Sequence, residues 1–142
     1  MAYSTLTDIK KQIDEDTLIR LTDDEDAGSV DTDITDEAIA YADADIDARL
    51  TGKYTLPLSP VPVKIRQCSV DIAIYNLYSR RETPPENRDL RYKNALAFLE
   101  DVRTGAIDLG VSDPAADDDG NPVRVTTDKD DRTFTMDEME SF

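Results

Sequence analysis

The stretch VDIAIYNLY at residues 70–78 constrains the fold more than any other part of the sequence. If this stretch forms a helix, its apolar side chains lie on almost every side of the helix and not along a single stripe. Helices of that kind are usually buried at the centre of a bundle. The sequence therefore predicts a central helix over residues 62–80, with Pro62 near its first turn.

A second, amphipathic helix is predicted at residues 36–51. Thr35 is the expected N-cap, and Gly52 is expected to end the helix in a left-handed conformation. The apolar side chains recur every three or four residues, which gives one narrow stripe that suits burial against the central helix. The stripe consists of Ile39, Ala42, Ile46 and Leu50.

A third helix is predicted at residues 88–104, with Leu90 leading its apolar side and Gly105 ending it. The turn ETPPEN at residues 82–87 separates it from the central helix. Helices joined by so short a connection are usually antiparallel neighbours. Between the second helix and the central one, the prolines of KYTLPLSPVP predict an extended, partly buried strap.

Two shorter helical segments are predicted near the N-terminus. Thr7 is the expected cap of the first, and TLIRL at residues 17–21 forms the second. The acidic stretch at residues 14–33 shows no regular pattern, and the sequence assigns it no role.

These elements predict an all-α fold, a small helical bundle of three to five helices. The bundle is expected to span residues 1–111, and residues 112–142 are expected to form an extended acidic C-terminal arm. In that arm VRVTT at residues 123–127 is a candidate short strand. FTMDEM at residues 134–139 has the capping box of a helix start, which predicts a terminal helical turn.

The terminal helix has too few residues to be stable alone in water. Its apolar side chains therefore need another surface to pack on. They are Phe134, Met136, Met139 and Phe142.

Composition argues against an enzyme. The chain has no histidine, which excludes Ser-His and Cys-His nucleophile pairs, histidine general bases and histidine metal ligands. The acidic loops around Gly28 and Gly120 lack the ligand pattern of an EF-hand calcium site. The single cysteine, Cys68, is expected to be a buried core residue, and Asp71 is expected to form a structural pair with an arginine. We expect no catalytic residue, no cofactor and no metal.

Charge is divided unevenly along the chain. The net charge is −16, which disfavours gripping of nucleic acid. Residues 14–47 carry fourteen acids and one base, whereas residues 48–104 carry six acids and ten bases. A subunit with one acidic and one basic face can join head to tail, and such contacts close into rings. The arginines expected at this subunit contact are Arg80, Arg81, Arg88 and Arg91.

Three aspartates of the second helix, Asp43, Asp45 and Asp47, extend the acidic face. Asp43 and Asp47 are expected on its exposed, alanine-rich side, where nothing would shift the pKa of either carboxyl group. A solubilising or docking face is favoured over acid–base catalysis or magnesium binding. No apolar run of eighteen residues and no signal-peptide pattern is present, so we expect a cytosol-like compartment and no membrane contact.

The segment AIAYADADIDARLTGKYTLPLSPVPVKIRQCSVDIAIYNLYSRR, continued by RYKNALAFLEDVRTGAIDLG, resembles the small neck proteins of tailed bacteriophages and prophages of the Mu type. The family pattern has an alanine-rich helix with DID, then GKY, LPL, VP, a DIA-Y-LY helix and RY--A---L, in that order. The resemblance covers about residues 35–110. The acidic stretch at residues 14–33 matches less well.

The resemblance implies a head-to-tail connector, also called an adaptor or head-completion protein. Such proteins form a ring, normally a dodecamer, beneath the portal of the filled capsid, and DNA only passes through its channel. The implied partners are other copies of the chain, the portal protein and a downstream stopper or tail protein. The implied location is the virion neck, after assembly in the bacterial host cytoplasm.

By the same likeness the C-terminal segment reaches into the portal, which makes Phe134, Met136, Met139 and Phe142 the expected anchors. Asp43, Asp45 and Asp47 are candidates for the channel face, where carboxylates would repel DNA. An alternative from another class is a non-viral acidic adaptor or inhibitor that binds a basic protein through its C-terminal peptide.

Overall fold

The computed structural model describes residues 2–111, and this part of the chain folds into five α-helices without a β-strand. The predicted all-α bundle is therefore confirmed. The candidate strand at 123–127 and the terminal helical turn lie outside the described residues. The helices are α1 (Leu6–Lys10), α2 (Glu15–Thr22), α3 (Thr32–Leu50), α4 (Val63–Arg81) and α5 (Glu86–Thr104).

Helix α4 is the centre of the bundle, as the sequence predicted. It packs against each of the other four helices. Its buried residues face in several directions around the helix rather than along one stripe. The largest side chains that α4 buries completely are Ile65, Ile72, Ile74 and Leu77.

Helices α4 and α5 form an antiparallel hairpin around the four residues 82–85. The rings of Tyr75 and Tyr92 stack with centroids 3.9 Å apart, and Lys64 lies over the ring of Phe98. Residue numbers thus rise along one helix as they fall along the other. Leu90 does not lead the buried side of α5, because its side chain is 57% exposed. The buried positions of α5 are Ala95, Leu99 and Val102.

Helix α3 begins earlier than predicted. Its N-cap is Asp31, whose carboxylate accepts hydrogen bonds from the backbone N–H groups of Asp33 at 3.0 Å and Ile34 at 3.3 Å. Thr35 lies inside the first turns, where it is buried and donates its hydroxyl to the carbonyl of Thr32. The end of the helix agrees with the prediction, because Gly52 has a φ of +87°. All four residues of the predicted stripe are buried.

The N-terminal segments pack on this core. Thr5, rather than Thr7, caps α1 and forms a capping box with Asp8. The predicted strap between α3 and α4 has no regular structure, and it buries Tyr54 and Leu58 in the core. Among the helices described, none is long and apolar enough to cross a membrane.

Candidate partner-binding surfaces

The N-terminal segment is fastened to α3 by two carboxylates. The backbone N–H of Tyr3 donates to Asp43 Oδ2 at 3.0 Å, and the Tyr3 hydroxyl donates to Asp47. The same hydroxyl accepts the backbone N–H of Leu58 from the strap, at 3.2 Å. Because Tyr3 is only 2% exposed, its polar atoms depend on these partners for hydrogen bonds.

Two serines extend this network into the central helix. Ser69 of α4 donates its hydroxyl to Asp43 Oδ1 at 2.8 Å, and the hydroxyls of Ser4 and Ser69 are 2.7 Å apart. Both serines are buried. The segment before α1, helix α3 and helix α4 are therefore joined through a single carboxylate.

This placement corrects the expectation that Asp43 and Asp47 lie on an exposed face. Both are half-buried, and only Asp45 of the three aspartates is exposed. Burial raises the pKa of Asp43, the hydrogen bonds from Ser69 and Tyr3 act against that rise, and the nearby Asp47 adds to it. Burial also raises the pKa of Tyr3 to about 12, and the bond to Asp47 contributes.

Replacing Tyr3 with phenylalanine is expected to lower the free energy of unfolding by about 1–3 kcal/mol. The substitution leaves the buried N–H of Leu58 without an acceptor and removes a donor from Asp47, and unsatisfied buried polar groups carry a cost of that size. Urea denaturation of both proteins measures the difference. Tyr41→Phe is the matched control, because the Tyr41 hydroxyl bonds Glu37 on the surface. A Tyr3→Phe protein as stable as this control would contradict the role of the network.

An open groove of about 630 Å³ runs between the N-terminal segment and α3. We call it the α3 groove. No lysine or arginine lines it, and half of its ten lining residues are apolar, three of them alanines. Its lining residues are Ala2, Ser4, Thr5, Leu6, Asp36, Ile39, Ala40, Asp43, Ala44 and Asp47.

The acids of the α3 groove do not make a metal site. Within residues 2–111, no group of three or more acidic or cysteine side chains is arranged to hold an ion. Asp43 and Asp47 already accept hydrogen bonds from Tyr3. Asp36 is different, because it is exposed and has no hydrogen bond or ion pair with the rest of the described chain.

A smaller recess of about 140 Å³ lies where α1 meets the start of α4, and its lining includes two acids, Asp8 and Asp71, and two bases. Lys11 and Arg66 border this recess together with Val63, which is 79% exposed. Lys11 is paired with Asp8. Arg66 is exposed and, in the part of the chain that the structure describes, has no ion pair.

Two of the predicted interface arginines are bound within their own chain. Arg80 and Arg81 both form ion pairs with Asp24, and the contact with Arg80 lowers the pKa of that carboxyl group. Arg80 also donates to the carbonyl of Leu21 at 3.1 Å, and Arg81 to that of Arg20 at 2.7 Å. The pairing with the acidic stretch that the sequence predicted thus occurs inside one subunit, where it ties the end of α4 to α2.

The other two arginines lie against the N-terminal segment and Asp71. Arg88 donates to the carbonyl of Gln12 at 2.6 Å, and Arg91 to the Gln12 side chain at 3.0 Å. Arg91 also lies 3.8 Å from the carboxylate of Asp71, which confirms the predicted structural pair. Burial raises the pKa of Asp71, and the charges of Arg91 and Arg88 oppose that rise. Contact of these arginines with a second subunit stays a prediction.

Cys68 is buried, as predicted, and burial raises the pKa of its thiol to about 11. The thiol therefore stays protonated at neutral pH and is a poor nucleophile. The predicted portal anchors Phe134, Met136, Met139 and Phe142 lie outside the described residues.

Comparison of the sequence with known proteins shows which family the chain is similar to. The family described as "Bacteriophage Mu, Gp36" matches residues 3–127. "Gene product J" of Escherichia phage Mu is 34% identical over 132 residues, which cover 90% of this chain and 92% of that protein. "Mu-like prophage FluMu protein gp36" of Haemophilus influenzae is 40% identical over 87 residues, 61% of this chain. This alignment spans 60% of the Haemophilus protein's length.

The family match takes in all five described helices and continues to residue 127. The similarity to the phage Mu protein extends over nine tenths of the chain. The chain therefore belongs to the Bacteriophage Mu Gp36 family and is a Mu-type phage protein.

Proposed function

We propose that this protein is a structural virion protein, a head-to-tail connector. It forms a ring beneath the portal, extends the DNA channel and joins the head to the stopper or tail. Membership in the Mu family supports a role in phage structure or assembly. It also disfavours the non-viral adaptor or inhibitor that the sequence left open.

The observation that carries the proposal is that one chain bears two different surfaces, each with a charged group that has no ion pair within the described residues: Asp36 in the α3 groove and Arg66 at the start of α4. The α3 groove is lined by three carboxylates and no base, and the recess beside α1 presents Arg66 and an exposed valine. No residue lines both. The α3 groove of one subunit can therefore contact the start of α4 in the next subunit. Head-to-tail contacts of this kind close into rings.

The charge of the protein suits a channel that DNA traverses without stopping. With a net charge of −16, a ring of many copies repels phosphates instead of binding them. Of the three aspartates considered for the channel face, Asp45 is exposed, whereas Asp43 and Asp47 hold the N-terminal segment. Asp45 is therefore the strongest candidate among them.

The C-terminal arm is the proposed portal-binding element. Residues 112–142 contain ten acids and three bases, and they end in a cluster of apolar side chains. An amphipathic segment of this kind binds by placing its apolar face in a groove of the partner. The proposed anchors are Phe134, Met136, Met139 and Phe142.

A phage that lacks this protein tests the proposal. We expect DNA-filled heads and separate, complete tails, because the two halves of the virion are made independently and only their junction is missing. Electron microscopy of the lysate identifies these products, and the intact protein supplied from a plasmid is expected to restore joined particles. Joined, infectious particles without the protein would refute the proposal.

A further inference from the structure

We propose that the α3 groove of one copy receives the start of α4 from a second copy, with Val63 in the groove and Arg66 paired with Asp36. The inference rests on the proposed ring and names the contact that builds it. It does not involve the hairpin arginines, which have ion-pair or hydrogen-bond partners within their own subunit.

The start of α4 has the features of an inserting element. Val63 is the most exposed of the large hydrophobic side chains in the described range. Arg66 follows it by three residues, so the two side chains point to the same side of the helix. The neighbouring Lys64 is directed toward Phe98 and Gln67 of its own chain, which leaves Arg66 as the cation available to a partner.

The α3 groove has the features of a receiving element. Ala40 and Ala44 are small and allow another chain to approach the helix closely, and Ile39 and Leu6 add apolar surface. Its only carboxylate without an internal partner among the described residues is that of Asp36. An aliphatic side chain next to a guanidinium group therefore fits the groove in both polarity and charge.

Charge excludes the other occupants that the chain itself could offer. The C-terminal arm has ten acids against three bases, so an acidic groove repels it. Nucleic acid is repelled for the same reason. A second copy fits the groove, because it brings an exposed valine and an unpaired arginine together on one turn of helix.

In the proposed ring this contact joins the copies head to tail. The groove and the inserting residues belong to different surfaces, so a pair of copies still has one groove and one α4 start free. Further copies add until the ring closes. A two-fold dimer would instead fill both grooves of a pair at once, and cross-linking of the contact would then stop at the dimer.

Exchange of the two charges tests the pairing. Arg66→Glu and Asp36→Arg are each expected to reduce ring formation at least about tenfold, because each places like charges at the contact. An equimolar mixture of the two variants is expected to restore rings, since each variant then meets the opposite charge on both sides. Native mass spectrometry of rings formed alone or on purified portal measures the outcome. Asp45→Arg, on the same helix but outside the groove, is the matched control, and its rings are expected to form normally.

Cysteine cross-linking tests the geometry independently of charge. A chain carrying both Ala40→Cys and Val63→Cys is expected to give a ladder of disulfide-linked multimers under oxidation. Either substitution alone is expected to give no ladder and no dimer, because the two positions belong to opposite sides of the contact. The native Cys68 is buried and contributes no background.

Two results would overturn the inference. One is ring formation that both charge reversals leave unchanged, and the other is the absence of any ladder from the double-cysteine chain when rings are present. In either case the connector function still stands, because it is judged by the phage that lacks the protein. Normal joined particles from that phage would instead contradict the connector function, whatever the cross-linking result.

Discussion

Ile72→Ala is expected to lower the free energy of unfolding by about 2–5 kcal/mol, the range for truncation of a buried isoleucine. Ile72 is 0% exposed and lies on α4, which packs against all four other helices. Surrounding side chains cannot collapse into the space because several elements meet there. Small domains have a total stability of only about 5–15 kcal/mol, so this change removes a large share of it.

Urea denaturation followed by circular dichroism measures the effect as a shift of the transition midpoint. Val63→Ala is the matched control, because Val63 is on the same helix but 79% exposed. Its free energy of unfolding is expected to stay within about 0.5 kcal/mol of the original. If Ile72→Ala were as mild as Val63→Ala, the central position of α4 would be wrong.

Deletion of residues 132–142 is expected to abolish binding to the portal and to leave the helical bundle folded. Within the described residues 2–111 the buried core extends from Tyr3 to Val102, and the deletion leaves that core intact. It does remove all four proposed anchors. Phe134→Ala is expected to weaken binding by about 2 kcal/mol or more, the size of an aromatic hot spot at an interface.

Co-sedimentation with purified portal rings measures binding, and the helical circular dichroism signal checks the fold. Val125→Ala is the matched control within the arm, since it also truncates an apolar side chain but lies outside the anchors. Its binding is expected to be unchanged. Equal portal affinity of the deleted and complete chains would place the anchor elsewhere.

The helices were predictable where apolar side chains dominate the pattern. The stretch around Ile72 and Ile74 predicted a buried central helix, and the glycines at positions 52 and 105 marked the ends of α3 and α5. The start of α3 was misplaced because Asp31 and Thr35 are both good N-caps. Asp31 is the N-cap because Thr35 is buried inside the bundle. The burial depends on the other helices, so the local sequence does not show it.

The network around Asp43 was missed for a similar reason. Two aspartates one turn apart on a helix are typical of a solvent-exposed face. No residue close to them in the sequence indicated that another segment would cover them. Their partner, Tyr3, is forty residues away. One available signal was Ser69, a polar residue on the predicted central helix, whose hydroxyl requires a partner when it is buried.

The charge pattern predicted ion pairs between the acidic stretch and the hairpin arginines. It could not show whether these pairs form within one chain or between two chains. Acids before residue 47 and arginines near the hairpin turn were expected to attract each other. The structure pairs Arg80 and Arg81 with Asp24 of the same chain. Asp24 follows the short helix α2, and its position beside the end of α4 is set by the packing of α2 on the core.

Electron cryo-microscopy of the neck of the assembled phage tests the connector function most directly. We expect a ring of this protein directly beneath the portal, with the side chains of Phe134 and Phe142 seated in the portal. A reconstruction in which the protein is absent from the neck, or in which its C-terminal arm folds back on its own bundle, would contradict that function.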